Sequence, residues 1–416
     1  MPVLTSRRLP KIQRGQDYFL GSAKQPFSAS LPPLKQSFGA AASCRLPHSP
    51  GRHSNDDKFG LKHEWDDVST ESLWEVKGED LEMVPWGFPL ERTHREIRMD
   101  VGEVASRISE RLRLMSVEAN YCSKQAKAKC KTTDAVSFRI RLFAGGEDGQ
   151  PVVVELQRRS GSAYTFMRTC RAVLDAAEGK DSNEKFSSPS NGLPPALKLP
   201  VSSMSCLSHV ATANVGLESD AKEALRGALN LFRSDQRDTS LLGLENLCCL
   251  SDLVKTSADV ATFACKSLIA PGDVREELRV LIEHDVFSAE ENDSEGLLKF
   301  REHQRFLCLR VFANAISVCL KDGSLNNLVS DSWFAEIFVP LLLDELNRAE
   351  SGLHNAFQAA TCLHGLLSSS PTTFHQLLVD NGANTALEKA FKIGQSRHGL
   401  LARETRRCLD VLDASS

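Results

Sequence analysis

The 416-residue sequence contains no run of 18 apolar residues, and no apolar signal-peptide core follows Met1. The first absence excludes a transmembrane helix, and the second disfavours secretion. We therefore expect an intracellular, cytoplasmic protein. An organelle transit peptide is the alternative, because residues 1–55 carry eight Lys or Arg against one acid. Their abundance of Pro, Ser and Gly favours a disordered basic tail.

Short motifs of common catalytic sites are also missing. The sequence has no G-x-S-x-G nucleophile elbow, no H-E-x-x-H zinc motif and no phosphate-binding glycine loop. His354, His364 and His375 lie about ten residues apart on predicted helices, too far apart for a local metal motif, and are expected to be partly exposed. We predict no catalytic residue, cofactor or metal, with a small-molecule enzyme as the weaker alternative.

Paired cysteines are scarce although cysteine itself is not. None of the twelve cysteines forms a C-x-x-C pair, and only Cys248 and Cys249 are close in sequence. Neighbours on a helix point about 100° apart, which disfavours a disulfide between them. We therefore expect reduced thiols, most of them small core residues.

Charge of one sign does not dominate the chain as a whole. The net charge is −4, and the basic strands described below lack interleaved aromatics, so no nucleic-acid partner is expected. Residues 56–97 form an acidic segment that contains Trp65, Trp74 and Trp86. Two interpretations remain open: the segment docks on a partner, or its tryptophans pack back on the following domain.

Residues 98–178 carry the pattern of an α+β module. Val101, Val104 and Ile108 recur at helical spacing after the candidate N-cap Asp100. Strand-like alternation follows at 126–131 and 136–142, glycines at 145–149 predict a hairpin turn, and Val152–Gln157 predicts a third strand. Ser160–Ser162 then caps a second helix. The predicted order is helix, antiparallel sheet, helix.

The rest of the chain is predicted to be a linker and an all-α domain. Residues 179–216 are rich in Pro and Ser, which indicates a linker. Residues 217–416 show helical periodicity, with breaks at Pro271-Gly272, Asp322-Gly323, Ser351-Gly352, Pro371 and Asn381-Gly382. Helix pairs recur about every 40 residues, the period of an armadillo-like solenoid.

Two resemblances follow from these residues. The stretch Val136 to Leu174, with Val152–Val154, Arg159-Ser160-Gly161 and Phe166, resembles the kinase-associated C-terminal domain. This resemblance implies a module that contacts anionic phospholipid or protein; no kinase motif accompanies it. The leucine-rich segment Asp238 to Leu253 resembles an armadillo-type repeat, which implies partner binding in a concave groove.

The strand alternation places basic side chains on one face of the sheet, opposite the apolar set. Such a face attracts phosphate headgroups or an acidic peptide, including the acidic segment of the chain itself, whereas a solvated face with weak cross-strand pairs is the alternative. We predict a non-catalytic scaffold or adaptor that binds a protein or peptide through a helical-repeat groove, with recruitment to an anionic membrane as the alternative. The candidate anion- or partner-binding residues are Lys127, Lys129, Lys131, Arg139, Arg141 and Arg159.

Overall fold

Alternating apolar and polar residues build a six-stranded sheet in the first part of the described chain. The computed structural model describes residues 73–85, 87, 89–146, 151–180, 213–283, 295–329 and 331–414, all within the unit Lys62–Ser416. The predicted basic tail, residues 1–55, lies outside them. The strands are β1 (Glu82–Met83), β2 (His94–Ile97), β3 (Glu118–Cys122), β4 (Lys127–Lys131), β5 (Ser137–Ala144) and β6 (Val152–Ser160).

The strand order is β2-β6-β5-β4-β3, and each neighbouring pair in it is antiparallel. The short β1 adds a parallel pairing to the end of β5. Strand β3 therefore forms one edge of the sheet. A register shift at Ser137/Phe138 lets β6 bend where it approaches the second helix.

Two helices cover one face of this sheet, as the predicted order requires. They are α1 (Val101–Leu114) and α2 (Ala163–Ala177). Asp100 caps α1 by accepting a hydrogen bond from the backbone N–H of Glu103, and Ser162 caps α2 in the same way. The core between helices and strands contains Ile108, Leu112, Phe138, Ile140, Leu156, Phe166 and Val173.

The sheet begins earlier than the predicted module boundary at residue 98. Strands β1 and β2 lie inside the predicted acidic segment, and Trp74 is 1% exposed in the core of the module. The Trp74 ring stacks on Tyr121 of β3, with 5.5 Å between ring centroids. Packing back on the following domain is therefore confirmed for Trp74; Trp65 and Trp86 lie outside the described residues.

The second part of the described chain is helical. Its first helix begins at Ala213, earlier than the predicted domain boundary at 217, and most of the predicted linker lies outside the described residues. A π-helical stretch, Phe334–Phe338, runs directly into α9. The helices are α3 (Ala213–Phe232), α4 (Arg237–Leu250), α5 (Ala258–Ile269), α6 (Asp273–Glu283), α7 (Glu295–Lys321), α8 (Leu325–Leu328), α9 (Val339–Asn347), α10 (Leu353–Ser369), α11 (Pro371–Asp380), α12 (Ala383–Arg397) and α13 (Gly399–Ala414).

Helix α7 lies at the centre of this region. It packs on α4, α5 and α6 on one side and on α10 on the other, while α10 also packs on α9 and α13. Close helix crossings use glycine: a Cβ at Gly243 would lie 2.2 Å from the backbone N of Phe232. None of the described helices combines the length and the apolarity needed to cross a bilayer.

The helical region contacts the sheet module directly. Arg310 of α7 donates to the carbonyl O of Thr133 at 3.1 Å and to Asp134 Oδ1 at 3.0 Å, both in the β4–β5 turn. At the other end of the module, the backbone N–H of Leu400 donates to Ser116 Oγ at 2.7 Å. These contacts hold the open face of the sheet, which α1 and α2 leave uncovered, toward the C-terminal helical region.

Candidate functional site

A cleft of about 580 Å³ lies between the open face of the sheet and the helical region. Strands β3, β4, β5 and β6 form one wall; α7, the end of α9 and the start of α10 form the other. Among the described residues that line it, seven are Lys or Arg and three are Glu, so this lining carries a net positive charge. The charged lining residues are Glu118, Lys129, Lys131, Arg139, Arg159, Lys299, Glu302, Arg305, Glu345 and Arg348.

Four of the six candidate residues predicted from the sequence line this cleft. They are Lys129, Lys131, Arg139 and Arg159. The first three are half-buried, and Arg159 is exposed. The other two, Lys127 and Arg141, pair across β4 and β5 in the next row of the same face and are not part of the cleft wall.

The strand register places like charges face to face. Lys129 lies directly opposite Arg139, and Lys127 lies directly opposite Arg141. Like charges at opposed positions of a sheet destabilise the pair. In the register with β6, Arg141 lies opposite the buried Glu155. On the other side of Arg139 stands the neutral Gln157.

The helical wall is held by a buried ion pair. Arg305 donates to Glu345, and both side chains are under 8% exposed. On α7, Lys299, Glu302 and Phe306 follow at helical spacing and therefore share the face that lines the cleft. Lys131 lies over the Phe306 ring, with Nζ 5.6 Å from the centroid, and joins the two walls by a cation–π contact.

Two buried histidines connect the helices to β4 beneath the cleft. His354 Nε2 lies 3.0 Å from the carbonyl O of Lys131, and its Nδ1 lies 3.0 Å from Nε2 of His398. The carbonyl only accepts, so His354 carries its proton on Nε2. The N–H of Leu401 donates to Nδ1 of His398, so His398 carries its proton on Nε2 and donates to His354. One pair of neutral tautomers satisfies all three bonds.

Burial explains why both rings stay neutral. Desolvation lowers the pKa of His354 to about 4 and is the largest cause; the hydrogen bond to Lys131 O acts in the opposite direction. Desolvation and the neighbouring His354 lower the pKa of His398 well below its usual range. The expectation of a partly exposed His354 is therefore wrong, because the ring is 3% exposed in the contact between helices and sheet.

Among the described residues of the cleft, few side chains are available for acid–base chemistry. Glu118 has a pKa raised by burial and lies 3.8 Å from His354 Nε2. His354 is a poor general base, however, because protein atoms occupy both of its ring nitrogens. Burial also raises the pKa of the Cys130 thiol, which disfavours the nucleophilic thiolate. Within the described residues, no group of three His, Cys, Asp or Glu side chains is arranged to hold a metal ion.

Comparison with known proteins gives no relative: no family model, no curated protein and no solved structure matches this chain. Sequence reasoning found the sheet wall of the cleft from the period-two pattern of basic residues. It missed the helical wall, since Arg305 and Arg348 belong to no sequence motif.

Proposed function

We propose that this protein is a non-catalytic scaffold or adaptor that binds an acidic peptide segment of a partner protein in the cleft between its sheet and its helices. The observation that carries the proposal is the charge of the cleft lining: in the described part of the chain, seven basic side chains stand against three acidic ones, on two walls.

The shape of the cleft favours a peptide over a membrane surface. A planar bilayer touches one face of a protein, whereas Lys129, Lys131 and Arg139 are half-buried and have helical residues across from them. An extended peptide, unlike a bilayer, can contact both walls at once. The amides of Asn120 and Asn355 in the lining also supply hydrogen bonds for a peptide backbone.

We also propose that the helical region is an armadillo-like stack. Helix α3 packs on α4 and α5, these pack on α7, and α10 continues from α7 to α13. Such layer-by-layer contact is typical of armadillo-like stacks. The helix, antiparallel strands and second helix of the sheet module agree with the order implied by the resemblance to the kinase-associated C-terminal domain, which supports a contact module for anionic ligands.

The test uses a fluorescein-labelled decapeptide of alternating Glu and Asp, titrated with the full chain and followed by anisotropy. The double variant Lys129→Glu, Arg139→Glu removes two charge-assisted hydrogen bonds, together worth about 3 kcal/mol, so we expect binding to weaken about a hundredfold. Binding to the wild type should also weaken as salt rises from 0.05 to about 0.5 M.

The matched control makes the same charge change outside the cleft. Lys222 and Arg226 lie exposed on α3, and Lys222→Glu, Arg226→Glu should leave the affinity unchanged within about threefold. Equal binding by the wild type and the Lys129→Glu, Arg139→Glu variant would contradict the proposal. Sedimentation with phosphatidylserine vesicles that depends on Lys129 and Arg139, without peptide binding, would favour the membrane alternative.

A further inference from the structure

We propose that the stretch 62–72 of this chain docks in the same cleft when no partner is bound. The inference rests on the proposed function, since it names an intramolecular competitor for the acidic peptide. Four acids, Glu64, Asp66, Asp67 and Glu71, stand in this stretch against the single Lys62. The stretch is therefore complementary in charge to the net positive cleft.

The described chain begins near the edge strand β3, on the face of the sheet that α1 and α2 cover. Trp74 is anchored by its stacking on Tyr121 of the edge strand β3. Asn120, the residue next to Tyr121, already belongs to the cleft wall. The stretch 62–72 is thus tethered to the edge of the sheet whose open face carries the basic side chains.

The distance is short compared with the reach of the tether. Asn120, Lys129 and Arg139 lie in register across three neighbouring strands, so the row spans about 10 Å from the edge. Eleven extended residues reach roughly 36 Å. The stretch therefore has ample length to turn around the edge of β3 and to place its acids along this row.

Tethering makes even a weak contact effective. A segment joined by a short linker acts at an effective concentration of about 1 mM. If its intrinsic dissociation constant is about 0.1 mM, it raises the apparent dissociation constant of a competing peptide roughly tenfold. A partner with a longer or more acidic segment displaces the stretch 62–72. Partner segments with a lower affinity for the cleft are therefore excluded.

The first experiment is zero-length carbodiimide cross-linking of the full chain at low concentration, read by mass spectrometry. We expect bonds between the carboxylates of residues 64–71 and Lys129, Lys131 or Lys299 of the cleft. Cross-links from these carboxylates only to lysines outside the cleft, such as Lys222 and Lys389, would overturn the inference.

The second experiment compares two neutralised variants with the wild type in the anisotropy assay. One carries Glu64→Gln, Asp66→Asn, Asp67→Asn and Glu71→Gln. The control removes the same charge from exposed helical sites through Glu218→Gln, Asp220→Asn, Glu388→Gln and Asp413→Asn.

The first variant should bind the decapeptide about tenfold more tightly than the wild type, and the control should match the wild type. Equal binding by all three chains would refute the cis competitor and leave the proposed function intact. Failure of the peptide to bind even the first variant would refute the proposed function, and the cross-links then decide the inference alone.

Discussion

Acidification should lower the free energy of unfolding through the histidine pair beneath the cleft, His354 and His398. His354 has a pKa lowered from 6.5 to about 4, chiefly by burial, so the folded state favours its neutral form. The resulting stabilisation is complete above pH 6.5 and is lost as the pH falls from 6.5 towards 4. With a pKa of 6.5 in the unfolded state and about 4 in the folded state, His354 lowers the free energy of unfolding by about 2 kcal/mol between pH 7.5 and pH 5. His398 acts in the same direction.

Urea denaturation at pH 7.5 and pH 5 measures this loss in the wild type and in His354→Phe. The variant loses its hydrogen bonds at both pH values, but it no longer carries the titrating ring. Its loss on acidification should therefore be smaller than that of the wild type by about 2 kcal/mol. His94→Phe, at an exposed position on β2, should keep the wild-type loss. Equal losses for the wild type and His354→Phe would refute the assignment of the pH dependence to this pair.

Three further substitutions test the packing that positions the cleft, each by urea denaturation at pH 7.5. Glu345→Gln removes the carboxylate that pairs with the buried Arg305 and should lower the free energy of unfolding by about 3 kcal/mol. The double variant Arg305→Met, Glu345→Leu should recover most of this loss. A loss below about 1 kcal/mol in Glu345→Gln would contradict the role of the ion pair. Arg310→Ala removes the contacts to the β4–β5 turn and should cost about 2 kcal/mol, while Arg406→Ala, 60% exposed, should cost under about 0.5; equal costs would count against the role of Arg310. Gly243→Ala should lower the free energy of unfolding by about 2 kcal/mol because the new Cβ meets Phe232. Gly227→Ala, with open space around it, should raise the free energy of unfolding by roughly 0.5 kcal/mol. Stabilisation by both substitutions would disprove the close crossing at Gly243.

Local signals predicted the helices well. Asp100 caps α1, and the glycine and proline breaks agree with the helix ends: α5 ends at Ile269 before Pro271-Gly272, α11 begins at Pro371, and α12 begins after Gly382. These features depend on backbone preferences within a few residues, which a single sequence displays directly. Predicting the α+β module followed by helices needed only such signals.

Short edge strands were missed for a physical reason. Strand β3 is half-buried along most of its length, and β2 exposes polar residues such as His94. Strand β2 buries one residue and β3 buries its last two, so neither shows the alternation that one continuously buried face produces. Strand β3 is held by its hydrogen bonds to β4, and β2 by its hydrogen bonds to β6. The residues that make β2 and β3 strands therefore lie partly in other segments of the chain.

The cleft depends on contacts between residues far apart in sequence. His354 and Lys131 are 223 residues apart, and Arg310 and Thr133 are 177 apart. A period-two pattern shows that Lys129 and Arg139 share a face, but it carries no information about what that face meets. The helical wall, with Arg305, Glu345 and Arg348, follows only from the packing of the two parts.

The most direct measurement of the central claim is a crystal structure of the full chain with the acidic decapeptide bound. We expect peptide carboxylates within hydrogen-bonding distance of Lys129 and Arg139 on the sheet wall and of Arg348 on the helical wall. An empty cleft in a crystal that holds the peptide at another surface would contradict this expectation.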